Sequence, residues 1–241
     1  MNHSKADRHS PLTEFIAGAK AITPLVIGAI PLGLIFGTLA LSSGLSFGGA
    51  IAMSALVFAG SAQFIALGLL ATGTALPIII LTTLVVNLRH LLYSLSLVTH
   101  VKDLSPIWKV VLGFWLTDEV FAVVINHYRK SDCDPRRGHR RYKHWYYLGA
   151  ALFMYLNWQI CTLVGLTLGY LIPDAAGWGL DFAMSVTFIG MVMPYLINRS
   201  MFIAVIVSGI MALLTHNLPH QSGLIVAAMA GIMAGMVTKN K

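Results

Sequence analysis

Runs of about 18 or more apolar residues recur along this chain, each long enough to cross a hydrocarbon core about 30 Å thick. No water reaches such a core, so every backbone N–H and C=O must be satisfied inside the protein. Helices do this within one segment, and closed barrels do it between strands. A barrel would show short alternating segments, and none are visible. The expected fold is therefore all-α, a polytopic helical membrane protein. Composition agrees: 10% of residues are charged, against about 25% in a soluble domain.

Eight apolar segments can be read, at about Ala21–Leu41, Phe47–Ala71, Leu76–Val98, Pro106–His127, Trp145–Ile172, Leu180–Ile197, Ser200–Thr215 and Gln221–Val237. A seven- or eight-span count follows. The last three are short, so any of them could be a half-helix or re-entrant element. Pro24, Pro31 and Pro194 are candidate helix breakers that would free backbone to line a cavity. Residues 1–20 form a polar leading segment with Asp7 and Glu14, unlike a cleavable signal. A basic loop, Tyr128–His144, divides a first membrane half (21–127) from a second (145–241).

That loop holds seven of the sixteen Lys and Arg residues, between Arg129 and Lys143. Loops rich in Lys and Arg stay in the cytoplasm, so the net charge of +7 signals orientation rather than nucleic-acid binding. With both termini placed inside, Lys/Arg count thirteen to two, the two outside being Lys102 and Lys109. Cys133 in the loop and Cys161 in a span are expected to stay unpaired.

Three charges break the apolar segments: Arg89 in NLRHLL, and Asp118 and Glu119 in LTDEVFA. A charge at bilayer depth costs roughly 2.5–3.5 kcal/mol on insertion scales, so it needs a partner or a task. Arg89 and Asp118 lie about nine and twelve residues from the same end of their spans, roughly 14 and 18 Å deep. An ion pair between consecutive, antiparallel spans is then easy. Asp118 and Glu119 point about 100° apart on a helix, so one can pair with Arg89 and the other is spare. A spare carboxyl held neutral by desolvation can relay protons. The alternative is a structural network that only joins two spans.

Around these charges, Asn87 and His90 share one helical stripe, and Arg89, Tyr93 and Ser96 another. His90 is either a proton relay or a helix bridge. Gly60, Ser61 and Gln63 in AGSAQ form a small-residue stretch with an amide that needs a partner. Met53, Phe58 and Phe64 are available for an apolar pocket, or for packing alone. Asn157 and Gln159 read as interhelical hydrogen-bonding groups.

Enzymatic readings fail locally. AGSAQ lacks the surround of an intramembrane serine protease, a second spanning aspartate is missing for an aspartyl protease, and no phosphate-binding Gly-Lys loop occurs. No metal-ligand spacing or cofactor motif is present, so neither catalytic residues nor a cofactor is expected.

An internal echo pairs GLIFG (Gly33–Gly37) with GLTLG (Gly165–Gly169), and MSALVFAG (Met53–Gly60) with MSVTFIG (Met184–Gly190). Two transporter-like repeats would explain it, with broken helices near the site. Such matches also arise by chance in apolar sequence.

PLGLIFG (Pro31–Gly37), FAGSAQF (Phe58–Phe64), NLRHLLYS (Asn87–Ser94) and LTDEVFA (Leu116–Ala122) resemble, in order and spacing, the large subunit of bacterial branched-chain amino acid exporters of the AzlC type. That resemblance implies an inner-membrane exporter of valine, leucine and isoleucine, with methionine at the edge of its range. It also implies a small AzlD-type membrane subunit as partner. It assigns no binding residue, so the candidates remain Arg89, Asp118, Glu119, His90, Asn87, Gln63, Ser61 and Gly60. A non-transporting assembly subunit and a passive channel are the competing readings. For an exporter driven by protons, Arg89 would meet a substrate carboxylate, and Asp118 or Glu119 its ammonium; unwound backbone in the first two spans is the other source of such contacts.

Overall fold

A computed structural model describes residues 10–132, 142–171, 196–216 and 222–239, together with Ile189, Met193 and Leu218. The described residues are helical, with no strand among them. The helices are α1 (Pro11–Ser42), α2 (Phe47–Val57), α3 (Gly60–Ala71), α4 (Leu76–Val101), α5 (Pro106–Phe114), α6 (Asp118–Asp132), α7 (Lys143–Leu171), α8 (Arg199–Leu214) and α9 (Ser222–Lys239). Three of them, α1, α4 and α7, are long and apolar enough to cross a membrane. The chain is a polytopic helical membrane protein.

α1 starts ten residues before the expected span. Ser10 caps it by accepting from the Thr13 N–H at 3.1 Å, and Pro11 sits in the first turn, where a missing N–H costs nothing. Pro24 and Pro31 lie inside α1 without ending it. What holds α1 in one piece is α7, packed along its whole length. A Cβ on Gly18 would overlap the Tyr146 carbonyl, one on Gly33 would meet the Cys161 side chain at 2.6 Å, and one on Gly37 would overlap the Thr162 carbonyl. From α7, Gly149 sits against Phe15, Gly165 against Leu34 and Gly169 against Thr38. Only glycine allows backbones this close, and small residues are how membrane helices gain van der Waals contact. The contacts advance together along both chains, so α1 and α7 run parallel. The echoed motifs GLIFG and GLTLG meet face to face at this seam.

The second and fourth apolar segments are not continuous spans. Phe58 adopts a left-handed conformation (φ 38°, ψ 45°) and Ala59 an extended one, which ends α2 and starts α3. α2 descends antiparallel to α7: the Ser54 and Thr162 hydroxyls are 2.9 Å apart, and Gln159 Nε2 donates to the Ser54 carbonyl at 3.1 Å. α3 then turns back. Its start lies against Trp158 and its far residues Ala66 and Leu69 pack with Ile79 of α4 and with Met53 of α2. The segment is a re-entrant hairpin of half-helices.

The fourth segment repeats this from the other end. α5 runs parallel to α7, with Trp108 against His144 (4.7 Å between centroids) and the Tyr147 hydroxyl donating to the Leu112 carbonyl at 2.9 Å. The chain breaks at residues 115–117. α6 returns alongside α4 in parallel register, with Tyr93 stacked on Phe121 (4.4 Å) and His100 beside Tyr128 (5.1 Å). The expected antiparallel pairing of α4 with its partner is thus replaced by a parallel one.

These directions move Lys102 and Lys109. The α4–α5 connection lies at the end where α6 finishes and α7 begins, beside the basic loop rather than opposite it. The turns at the other end, residues 43–46 and 72–75, carry no charge. Tyr128, assigned to the basic loop from sequence, is a buried α6 residue whose hydroxyl donates to the Lys143 carbonyl at 3.0 Å. Residues 133–141 with Cys133, and most of the sixth segment with Pro194 and the MSVTFIG echo, lie outside the described residues. α8 and α9 form an antiparallel pair, with Gly223 against Thr215 and Gly235 against Ala204.

Candidate functional site

Both hairpin tips stop level with the middle of α7, beside Trp158 and Tyr155, and a cavity of about 740 Å³ lies between them. Its walls come from α1 (Leu25, Ala29, Leu32), the first tip (Phe58 to Ser61), α4 (Val86, Arg89, His90, Tyr93), the second tip (Thr117, Asp118, Glu119) and α7 (Met154, Trp158). Ligand cavities commonly span about 300–1,000 Å³ and are apolar with a few convergent polar groups. This one fits that description.

The polar groups cluster at the tips. Arg89 Nη1 lies 2.6 Å from Asp118 Oδ2, and Arg89 Nη2 donates to the Ser61 hydroxyl at 2.5 Å. Arg89 therefore ties the first tip to the second. The pairing left open by the sequence resolves in favour of Asp118, while Glu119 lines the cavity beside it. Neither partner is fully sequestered, with side chains 28% and 21% exposed, which leaves both within reach of a bound molecule. The other Asp118 oxygen, Oδ1, is buried and has no hydrogen-bond partner among the described residues.

The helix ends sharpen this chemistry. α3 and α6 both begin at the cavity, and the first N–H groups of a helix lack intrahelical acceptors. Such ends carry a partial positive charge and favour anions. At α6 the end is already occupied: Asp118 and Glu119 sit in its first turn, and the Thr117 hydroxyl accepts from the Val120 N–H at 3.4 Å. At α3 the cap residue is Ala59, which has no side-chain acceptor to offer. The α3 end, with Ser61 and Arg89 beside it, has the chemistry to accept an anion. The cavity thus brings the α3 start and Arg89 together with the Asp118 and Glu119 carboxylates, beside an apolar wall of Leu25, Ala29, Leu32, Met154 and Trp158.

Of the sequence candidates, Arg89, Asp118, Glu119, His90, Ser61 and Gly60 all line this cavity. His90 Nδ1 is 3.2 Å from the Asn87 carbonyl, a local contact within α4. Asn87 and Gln63 are not in the wall. Gln63 is fully buried, with no partner on either amide atom among the described residues, and Asn87 Oδ1 is likewise buried without one among them. Phe58 lines the cavity, whereas Phe64 packs edge-on to Phe36 and Met53 joins the α2–α3 packing. Gln159 makes the expected interhelical bond. Met154 and Trp158 gave no sequence signal, because a Met or Trp in a span looks like packing until the tips are placed.

A second polar cluster lies at the basic end. Glu14 is buried in the first turn of α1, 4.0 Å from His127 Nε2, and His127 stacks on Tyr146 at 3.7 Å. Glu14 reads in the sequence as part of a polar leader. Only the early start of α1 reveals it as a buried group.

The AzlC protein family matches this chain over residues 24–172, the stretch from the first helix to the end of α7. The inner membrane protein YgaZ of Escherichia coli is 29% identical over 237 residues, covering 93% of this chain and 89% of YgaZ. An uncharacterized membrane protein of Archaeoglobus fulgidus is 34% identical, over 86% of this chain and 88% of its own length. One from Helicobacter pylori is 29% identical over 73% and 75% of the two chains. No solved structure matches the chain.

Proposed function

This chain is a member of the AzlC protein family, and from that premise we propose that it is the large subunit of a two-component exporter of branched-chain amino acids. Valine, leucine, isoleucine and methionine share a zwitterionic head and an uncharged side chain. The observation that carries this reading is the pairing, in one cavity, of an uncapped helix start beside Arg89 with the Asp118–Glu119 carboxylates. The substrate carboxylate lies at the α3 start, against the Ser61 N–H, the Ser61 hydroxyl and Arg89. Its ammonium meets the exposed part of the Asp118 carboxylate and Glu119. The aliphatic side chain occupies the wall of Leu25, Ala29, Met154 and Trp158.

The end with Lys102, Lys109, Arg129, Lys130 and Lys143 faces the cytoplasm under the positive-inside rule. The α5–α6 hairpin then enters from the cytoplasmic side and the α2–α3 hairpin from outside. With the tips at mid-depth, opposite hairpins can admit substrate from one side and release it to the other, as discontinuous helices do in transporters. Glu119, outside the Arg89 pair, carries the coupled proton. A small AzlD-type subunit completes the exporter in the bacterial inner membrane.

Cells are loaded with a valine-containing dipeptide, with the chain expressed alone or together with its small subunit, and intracellular valine is followed. Faster efflux that requires both components supports the proposal. Equal valine loss with and without them removes it.

A further inference from the structure

We propose that Tyr155 is a positioning residue that couples the two hairpin tips, so that opening at one end of the cavity holds the other end shut. The inference rests on the transport reading. Tyr155 stands on α7 between the tips. Its ring packs edge-on against Phe58 of the first tip, at 4.9 Å between centroids and 74° between planes. It also meets Trp115 of the second tip at 5.6 Å between centroids, with Phe114 at 6.5 Å. Its hydroxyl donates to the Ala55 carbonyl at 3.3 Å, one of the carbonyls that α2 leaves without an intrahelical partner. One side chain therefore serves both breaks in the backbone.

Phe58 explains why such support matters. A bulky residue in the left-handed region is strained, and strain of this kind persists only where surrounding contacts fix it. The contacts that fix Phe58 include the Tyr155 ring. The polar centre joins the tips in the same way, through Arg89 between Ser61 and Asp118. Substrate must compete with that polar tie when it binds, so it loosens as the site fills. The aromatic tie does not involve the substrate head group and remains. When one hairpin withdraws, the ring it releases settles onto the tip that stays. The remaining tip gains contact and is harder to move. Loss of both contacts at once is the costliest arrangement, and it is the one that would leak.

The test uses the full chain expressed together with its proposed small subunit in membrane vesicles, with Cys133→Ser and Cys161→Ser as background. Single cysteines at Ile65 of α3 and Ala122 of α6 line the cavity on the sides of the two hairpins. Each is labelled with a membrane-impermeant maleimide in right-side-out and inverted vesicles, with and without a leucine gradient. With Tyr155 present, conditions that raise labelling at one cysteine lower it at the other. Tyr155→Phe, which keeps the ring, preserves this reciprocity. Tyr155→Ala and Tyr155→Leu remove the ring contacts, and labelling at both cysteines then rises severalfold together while downhill leucine leak appears. The variant that reaches the membrane in normal amount decides. Reciprocal labelling that survives loss of the ring overturns the inference. Failure of the unmodified exporter to move leucine would instead overturn the transport reading, with the labelling still reporting whether the tips are linked.

Discussion

Removing one member of the Arg89–Asp118 pair strands the other at mid-depth, and the size of the effect follows from the geometry. Two unit charges 2.6 Å apart attract by about 6 kcal/mol at an effective dielectric of 20. Desolvation of both groups offsets most of this, so the net worth of the intact pair is small. Breaking a buried pair typically costs about 3–5 kcal/mol. With side chains 28% and 21% exposed, the cost falls to or just below the bottom of that range, about 2–3 kcal/mol for Asp118→Asn or Arg89→Gln. For a chain of this size that is a fall of roughly 4–12 °C in unfolding midpoint. The double variant leaves no stranded charge. It should cost less than the two single changes summed, with a coupling of at least ~1.5 kcal/mol. Thermal unfolding of the four purified proteins in one detergent, followed by tryptophan fluorescence, closes the cycle. Additive losses, within about 0.5 kcal/mol, would refute the claim that this pair bridges the two tips.

Three further outcomes follow from the same structure. Gly37→Ala forces a methyl into the Thr162 carbonyl and should destabilise by about 1–3 kcal/mol, whereas Gly28→Ala, with nothing within 4 Å, should be near neutral by the same unfolding measurement. A Cβ on Gly60 would lie 3.2 Å from the Trp158 ring, so Gly60→Ala should narrow the apolar wall and raise KM more for leucine than for alanine in an efflux assay. If Glu119 carries the coupled proton, Glu119→Gln should abolish uphill export and flatten the dependence of exchange on pH, and unchanged pH dependence would remove it from that role.

Much of the site was legible because charge in apolar sequence is conspicuous. Arg89, Asp118 and Glu119 stand out by cost alone, and the depth arithmetic, measured from a common end, placed Arg89 and Asp118 at matching levels. That arithmetic could not tell which end it was, because a hairpin and a crossing of equal length look alike in hydropathy. Phe47–Ala71 and Pro106–His127 both read as full spans. Their breaks fall at FAG and WLT rather than at proline, and only tertiary contacts fix Phe58 in its left-handed state. Pro24 and Pro31 carried the stronger local signal and proved harmless within α1, because α7 holds that helix along its length. Lys102 and Lys109 were placed opposite the basic loop for the same reason, and the hairpin topology brings them back to it. Glu14 was hidden by its polar neighbours.

In the proposed function, a hydrophobic amino acid binds between the two hairpin tips through Arg89 and the adjacent carboxylates. Counterflow of labelled leucine into proteoliposomes, with the chain and its proposed small subunit reconstituted together, tests that most directly. Leucine should accumulate transiently with the unmodified chain, while Arg89→Gln, inserted in equal amount, shows no more than protein-free vesicles. Equal counterflow by Arg89→Gln and the unmodified chain would contradict a substrate site at Arg89.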